Sequence, residues 1–193
     1  QQPDGAWRLD SSDSLGSPAT YGTALATAFA RRTLAASRLP AFDERIARAE
    51  RWLGRAEVSN VPDAGAILMA FADSSVTRVP DNWRAALDLL KKGQGRDGGW
   101  GPYLTSPAEP FDTAIATLAL HGLTRRASRA EPTFTKTSLT DAIANGRAYL
   151  IRQQLADGTW NETTRPPGQT SYAQRVSTTA WVLLALLETR GSP

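Results

Sequence analysis

The hydrophobic positions of this chain alternate between two kinds of helical segment. Four segments are apolar on most sides, a pattern typical of buried helices, and they are predicted at 19–36, 64–72, 113–125 and 170–190. Three others have one apolar face and one charged face, and they are predicted at 42–55, 82–92 and 140–154. The alternation predicts an all-α protein with apolar helices in an inner layer and amphipathic helices in an outer layer.

A seven-residue pattern, Gln-x-x-Asp-Gly-x-Trp, occurs three times in the chain. We call the copies the first, second and third Gln–Trp motifs; their fixed residues are Gln1, Asp4, Gly5 and Trp7, then Gln94, Asp97, Gly98 and Trp100, then Gln154, Asp157, Gly158 and Trp160. Asp-Gly is a turn dipeptide, Gln can bond backbone groups left open where a helix ends, and Trp offers a large surface with an N–H donor. Because the pattern contains no good nucleophile and no tuned acid, we interpret it as a structural connection.

The pattern divides a single domain into about four repeats, with approximate boundaries 1–38, 39–79, 80–130 and 131–193. The second repeat has no Gln–Trp motif. Small residues recur near the starts of the apolar helices, at Ala24, Ala66, Ala114 and Ala180. These features predict an α/α toroid, or a partial toroid that is part of a longer chain or is completed by another domain or copy.

Composition narrows the classes of function. A hydrophobic content of 41% and a charged content of 21% are typical of a soluble globular protein, and no apolar run is long enough to predict a membrane span. The chain has no cysteine, so we expect no disulfide, thioester or cysteine nucleophile, and neither a metal nor another cofactor is expected. A net charge of +3 without a basic stripe argues against nucleic acid. The compartment stays open between a bacterial-type cytoplasm and export.

Gln-x-x-Asp-Gly-x-Trp resembles the QW motif of the squalene–hopene and oxidosqualene cyclases, and the apolar segments 112–120 and 177–186 are similar to their inner-barrel helices. The resemblance covers nearly the whole chain. It implies the α/α toroid, which protein prenyltransferase β-subunits and complement-type thioester domains share, so the fold does not determine the function. The zinc ligands of the prenyltransferases and the cysteine of the thioester domains have no counterpart here, since the chain has no cysteine and a single histidine, His121.

The resemblance also implies where catalytic acids would lie. Such cyclases protonate their substrate with the middle acid of Asp-x-Asp-Asp-Thr-Ala, and segment 109–114 matches that motif in position. Glu109 takes the place of the first acid and Asp112 that of the last, but Phe111 occupies the proton donor's position. An aromatic ring cannot act as a general acid. Asp112 and Glu109 are thus the candidate catalytic residues, while Asp112 is also interpreted as a helix N-cap, like Asp63.

Two further sets of side chains lie at the ends of the inner helices. Aromatic residues near the helix starts can line a mouth for an apolar chain, although core packing also explains Trp181; they are Tyr21, Tyr103, Phe111, Tyr172 and Trp181. Arginines near the other ends would stabilise the helix dipoles or attract an anion; they are Arg31, Arg32, Arg125, Arg126 and Arg190.

Two functions follow from these expectations. The favoured one is a non-catalytic repeat domain that binds an apolar, isoprenoid-like ligand or a protein partner, with a homodimer or peripheral membrane contact as further options. The alternative is a terpenoid cyclase of the squalene–hopene type, or a fragment of one. Its acid would then be supplied atypically by Asp112 or Glu109, or by another part of the chain.

Overall fold

The structure is a computed structural model, and it describes residues 1–8, 22–72, 81–127, 136–163 and 171–191. These ranges contain seven α-helices, which run α1 Gly22–Ser37, α2 Asp43–Leu53, α3 Val61–Ala72, α4 Trp83–Gly93, α5 Pro110–Ala127, α6 Lys136–Arg152 and α7 Tyr172–Glu188. A short 3-10 turn, Pro40–Phe42, precedes α2. In the described ranges the only β-type pairing is an isolated bridge between Gln94 and Trp100. The all-α prediction is confirmed.

The helices form two layers. Helices α1, α3, α5 and α7 pack side by side in chain order, and α2, α4 and α6 each lie mainly on the inner helix that precedes them. Every residue of α3 except Asp63 and Ala72 is buried, and so is the whole of 110–120 in α5. By contrast, α2 and α4 bury one face only. The layers therefore follow the distribution of apolar residues along the sequence.

Small residues let the inner helices approach each other closely. A Cβ atom built on Gly65 of α3 would lie 2.4 Å from Cγ2 of Ile115 in α5. A side chain larger than hydrogen fits at that position only if the Ile115 side chain or α5 shifts.

The three outer helices share one pattern, which is buried except for the half-buried Ile46: a large apolar residue, a small residue three positions later and a leucine seven positions later. Its members are Ile46, Ala49 and Leu53 in α2, Trp83, Ala86 and Leu90 in α4, and Ile143, Gly146 and Leu150 in α6. Residues spaced by three and by seven lie on one helix face, so each outer helix presents the same face to the core. We call this the outer-helix pattern.

The structure changes three local interpretations. The side chain of Asn60, not Asp63, caps α3: its Oδ1 accepts from the Asp63 backbone N–H at 2.9 Å, and its Nδ2 donates to the Asp63 carboxylate at 2.8 Å. Asp112 lies in the first turn of α5, which begins at Pro110, so the N-cap interpretation is wrong for it too. Because α1 continues to Ser37, Arg31 lies within that helix and not at its end.

Candidate binding site

Each Gln–Trp motif contains a rigid turn. In the second motif the Asp97 carboxylate accepts a hydrogen bond from the backbone N–H of Gly99 at 3.1 Å. Gly98 has φ = 86°, a conformation that favours glycine. The first and third motifs repeat this geometry, with distances of 3.1 and 3.0 Å from the aspartate oxygen and φ values of 102° and 84° at the glycine.

The motif glutamine connects its own turn to an outer helix that comes later in the chain. Gln94 Nε2 donates to the carbonyl of Gly98 at 2.9 Å and to the carbonyl of Ala142 in α6 at 2.9 Å. Gln1 does the same, donating to Gly5 at 3.0 Å and to Arg45 in α2 at 2.8 Å. In these two motifs the glutamine therefore bonds a later outer helix, not the end of the helix before it, whereas Gln154 bonds its own turn, at the Gly158 carbonyl.

The motif tryptophan connects the outer helix before the motif to the inner helix after it. Trp100 Nε1 donates to the Leu90 carbonyl of α4 at 2.7 Å, and its backbone N–H donates to Oγ1 of Thr113 in α5 at 2.9 Å. Trp160 bonds the carbonyl of Leu150 and the hydroxyl of Thr179 in the same way. The first motif bonds Thr27 of α1 through the backbone N–H of Trp7 at 2.9 Å. The sequence analysis did not identify these three threonines as hydrogen-bond acceptors. The signal that could have found them is a recurring Thr-Ala pair, since each threonine is followed directly by alanine.

The second repeat has no Gln–Trp motif, and an asparagine makes one of the hydrogen bonds that a motif tryptophan makes elsewhere. Asn82 Nδ2, just before α4, donates to the carbonyls of Leu53 and Ala56, both at 2.8 Å. Leu53 occupies the leucine position of the outer-helix pattern, as Leu90 and Leu150 do, so its carbonyl is bonded by an amide instead of an indole.

The predicted aromatic residues occupy two different environments. Phe111 is completely buried in the core, and its ring centroid lies 6.3 Å from that of Trp181 in a T-shaped arrangement. Trp181 also contacts Phe29 of α1, with centroids 4.6 Å apart. Tyr103 and Tyr172 are exposed. Tyr21 lies outside the described residues, so the five residues are not seen to line one pocket.

The two candidate acids lie three residues apart at the start of α5, with Glu109 directly before the helix and Asp112 in its first turn. Asp112 is completely buried, whereas Glu109 is half-buried and its backbone N–H donates to the Trp100 carbonyl at 2.9 Å. Nearby, the Tyr149 hydroxyl donates to the carbonyl of Ala108 at 2.7 Å. Burial raises the pKa of Tyr149 to about 12, and the negative charges of Asp97 and Glu109 act in the same direction.

The arginines near the inner-helix ends have structural contacts. Arg31 pairs with Glu50 at 2.6 Å while only 5% exposed, which joins α1 to α2. Arg126 donates to the Phe71 carbonyl at 2.7 Å and lies over the Phe71 ring. These contacts favour the structural explanation over an anion site for Arg31 and Arg126.

A cleft of ≈ 430 Å³ lies on the outer surface, between the first motif and α2. Four of its six lining residues are charged; the residues are Asp4, Arg51, Trp52, Arg55, Ala56 and Glu57. None of the aromatic candidates lines it. In the described part of the chain no cluster of three or more potential metal ligands is found, and no described helix is long and apolar enough to cross a membrane.

The outward side of α7 carries a continuous apolar stripe. Exposed side chains follow one another at helical spacing along it: Tyr172, Val176, Ala180, Leu183 and Leu187. Tyr172 is 84% and Leu187 64% exposed. A contiguous exposed apolar surface of this kind typically marks a site of interaction.

Two layers of helices joined by three Gln–Trp motifs define an α/α repeat protein of the terpenoid-cyclase and prenyltransferase toroid class. The family model of the squalene-hopene cyclase C-terminal domain matches residues 42–172, more than half of the chain. The chain belongs to that family. No curated protein matches it.

Proposed function

We propose that this chain is a non-catalytic repeat domain of the squalene-cyclase type, which binds a protein partner through the exposed stripe of α7. The observation that carries the non-catalytic role is the identity of residue 111. Where the resemblance places the proton-donating acid, the chain has Phe111, a completely buried aromatic side chain. A phenyl ring has no acidic proton to transfer, so the protonation step that starts cyclisation has no donor at this position.

The surroundings of Phe111 support a protein partner over an isoprenoid ligand. The rings of Phe29 and Phe111 both contact Trp181, so side chains occupy the space between α1, α5 and α7 where an apolar chain would enter. The stripe on α7, by contrast, leaves large apolar side chains in solvent. Covering them would remove apolar area from water at about 25 cal/mol per Å².

Turnover and ligand uptake test this role directly. The purified chain is incubated with squalene and with oxidosqualene, and products are sought by gas chromatography with mass spectrometry; we expect none. Light scattering with and without farnesol should show no change in mass. A cyclic product from the unmodified chain would contradict the non-catalytic role, and uptake of farnesol would favour the isoprenoid ligand over the protein partner.

Substitutions on α7 test the binding surface. Leu183→Glu and Leu187→Glu together should leave the free energy of unfolding nearly unchanged, because both side chains are exposed, but should reduce binding of a hydrophobic dye. Leu104→Glu is the matched control, since Leu104 is 51% exposed but lies in the loop before α5. If all variants bind the dye equally, the stripe is not the apolar binding surface.

A terpenoid cyclase is the second candidate, and the burial of Asp112 favours it. A carboxyl shielded from water is the environment that the acid of such catalysis needs. If turnover is found, Asp112→Asn and Glu109→Gln identify the acid. Asp63→Asn is the control, because Asp63 occupies the corresponding first-turn position of α3.

A further inference from the structure

The cleft between the first Gln–Trp motif and α2 places charged groups of both signs around one aromatic ring. We call it the α2 cleft, and its six lining residues are those given above. We propose that it binds a small organic monoanion with a flat ring, of the aromatic carboxylate class. None of the lining residues belongs to α7, so this site is separate from the exposed stripe and the proposal does not depend on the function proposed above.

Trp52 supplies the ring surface of the α2 cleft. The side chain is half-buried, because it packs against the core while it also lines the cleft. The indole N–H groups of Trp100 and Trp160 each donate to a leucine carbonyl at 2.7 Å, whereas that of Trp52 has no acceptor among the described residues. An indole offers both an apolar face and an N–H donor to a binding partner. In Trp52 both are available to a ligand in the cleft.

Arg51 and Arg55 supply the positive charge. They are four residues apart, and the helical turn continues past the end of α2, since the Arg55 backbone N–H donates to the Trp52 carbonyl at 3.0 Å. Residues at this spacing lie on the same side of a helix. Both side chains are exposed, and neither makes an ion pair or a hydrogen bond with any residue that the structure describes. A planar guanidinium group matches the geometry of a carboxylate, to which it can donate two parallel hydrogen bonds.

Capping of the helix end does not explain the two arginines. A basic side chain near the end of a helix often donates to the last carbonyls, which have no partner within the helix. In α2 the Trp52 carbonyl already accepts from the Arg55 backbone N–H. The Leu53 carbonyl accepts from the side-chain amide of Asn82 at 2.8 Å. The two guanidinium groups are therefore not used in holding this end of the helix.

The two acids of the lining differ in how far their charge is compensated. The Asp4 carboxylate pairs with the Arg8 guanidinium at 2.5 Å and accepts from the Ala6 backbone N–H at 3.1 Å, and these contacts lower the pKa of Asp4. Glu57 is exposed and has no such partner in the described part of the chain. Two guanidinium groups and one uncompensated carboxylate leave one excess positive charge on the lining. This balance suits a monoanion, because Glu57 would repel a second negative charge.

The size of the α2 cleft suits a small molecule. Its volume of ≈ 430 Å³ lies within the range of about 300–1,000 Å³ that is typical of ligand sites. Exposed charged side chains surround the half-buried Trp52 and Ala56. A ligand whose ring lies on these two residues can direct its carboxylate toward the arginines.

Titration with benzoate tests the proposal. The indole N–H signals of the tryptophans are observed by two-dimensional nitrogen–proton NMR, and the Trp52 signal is assigned from its loss in Trp52→Phe. We expect benzoate to shift the Trp52 signal saturably. Three probes should shift it much less: acetate, which lacks the ring; benzamide, which lacks the charge; and inorganic phosphate, which carries more than one negative charge at neutral pH.

Substitutions of the charged lining residues identify the contacts. Arg51→Gln and Arg55→Gln should each raise the Kd for benzoate about tenfold, through loss of a charge-assisted hydrogen bond. Both positions are exposed, so the fold should be kept. Arg45→Gln is the matched control and should leave the Kd unchanged, because Arg45 is exposed on the same helix but does not line the cleft. Glu57→Gln should lower the Kd, since it removes the uncompensated negative charge.

Four outcomes would overturn the proposal. A Trp52 signal that benzoate does not move would show that the cleft is not its site. Equal weakening by Arg45→Gln would mean that α2 attracts anions in general. Benzamide binding as tightly as benzoate would show that the carboxylate is not recognised, and phosphate binding more tightly would contradict the preference for a monoanion with a ring.

Discussion

Trp181 in α7 lies edge-on to Phe29 in α1, with ring centroids 4.6 Å apart and an interplanar angle of 88°. The first and last of the described inner helices therefore meet, although α3 and α5 come between them along the chain. The four inner helices pack against one another in chain order, and this aromatic contact also joins the first of them to the last. The main role of the Trp181 ring is therefore to pack between inner helices.

Replacing Trp181 tests whether its ring stabilises the fold. Trp181→Ala should lower the free energy of unfolding by ~2–4 kcal/mol, somewhat less than a fully buried tryptophan costs, because the ring is half-buried. Urea unfolding followed by circular dichroism gives the value. A loss under about 1 kcal/mol, together with weaker binding of farnesol, would instead assign Trp181 to a ligand pocket.

The motif glycines offer a matched pair. Gly98→Ala should cost at least ~1 kcal/mol more in unfolding free energy than Gly158→Ala. The two glycines have similar positive φ values, 86° and 84°, so an alanine is strained to the same degree at either position. Only at Gly98 would the new Cβ also lie 2.7 Å from a helix carbonyl oxygen. Equal losses in denaturant titrations would mean that α6 moves aside without penalty.

The threonines that accept a hydrogen bond from the backbone N–H of the motif tryptophans allow a similar comparison. In the unmodified chain the backbone N–H of Trp100 donates to the Thr113 hydroxyl at 2.9 Å. Thr113→Val keeps the shape of the side chain but removes this acceptor from a buried N–H, so it should lower the free energy of unfolding by about 1–3 kcal/mol. Thr179→Val should cost less, since its bond to Trp160 is 3.3 Å long and partly exposed. Thermal and urea unfolding of both variants provide the test, and the reverse order would show that the hydroxyl of Thr113 is not structural.

His121 makes stability depend on pH. Burial lowers the pKa of His121 below its usual 6.5, the positive charge of Arg125 acts in the same direction, and Glu188 opposes both. Because the folded state disfavours the charged ring, the contribution of His121 is complete above pH 6.5 and is lost as the pH falls below it. The urea midpoint should decline from pH 7 to pH 5, and less steeply in His121→Gln. An unchanged slope in that variant would assign the decline to other groups.

The sequence was sufficient to predict the helical layers because burial follows the apolar pattern directly. Helix starts were less accurate: α3 begins at Val61 because Asn60 caps it, and α5 begins at Pro110, which is favourable in the first turn. Neither effect is visible in hydrophobic periodicity. In segments that are apolar on all sides, the hydrophobic pattern does not mark where the helix begins.

Contacts between distant residues could not be predicted in the same way. The pairing of Phe29 with Trp181 depends on how far the inner layer curves, which no local pattern encodes. The bond from Asn82 to the Leu53 carbonyl replaces a motif that the second repeat lacks, and an asparagine before a helix carries no signal of that role. The aromatic residues chosen from their positions near helix starts therefore separated into buried and exposed groups.

The acceptors of the motif glutamines are main-chain carbonyls, which every residue of a helix possesses. An outer helix can consequently exchange nearly all of its solvent-facing side chains and still be bound, provided that the small residue of the outer-helix pattern is kept. Such a connection tolerates divergence and duplication of whole hairpins. New units can be added to the array without inventing a new interface each time.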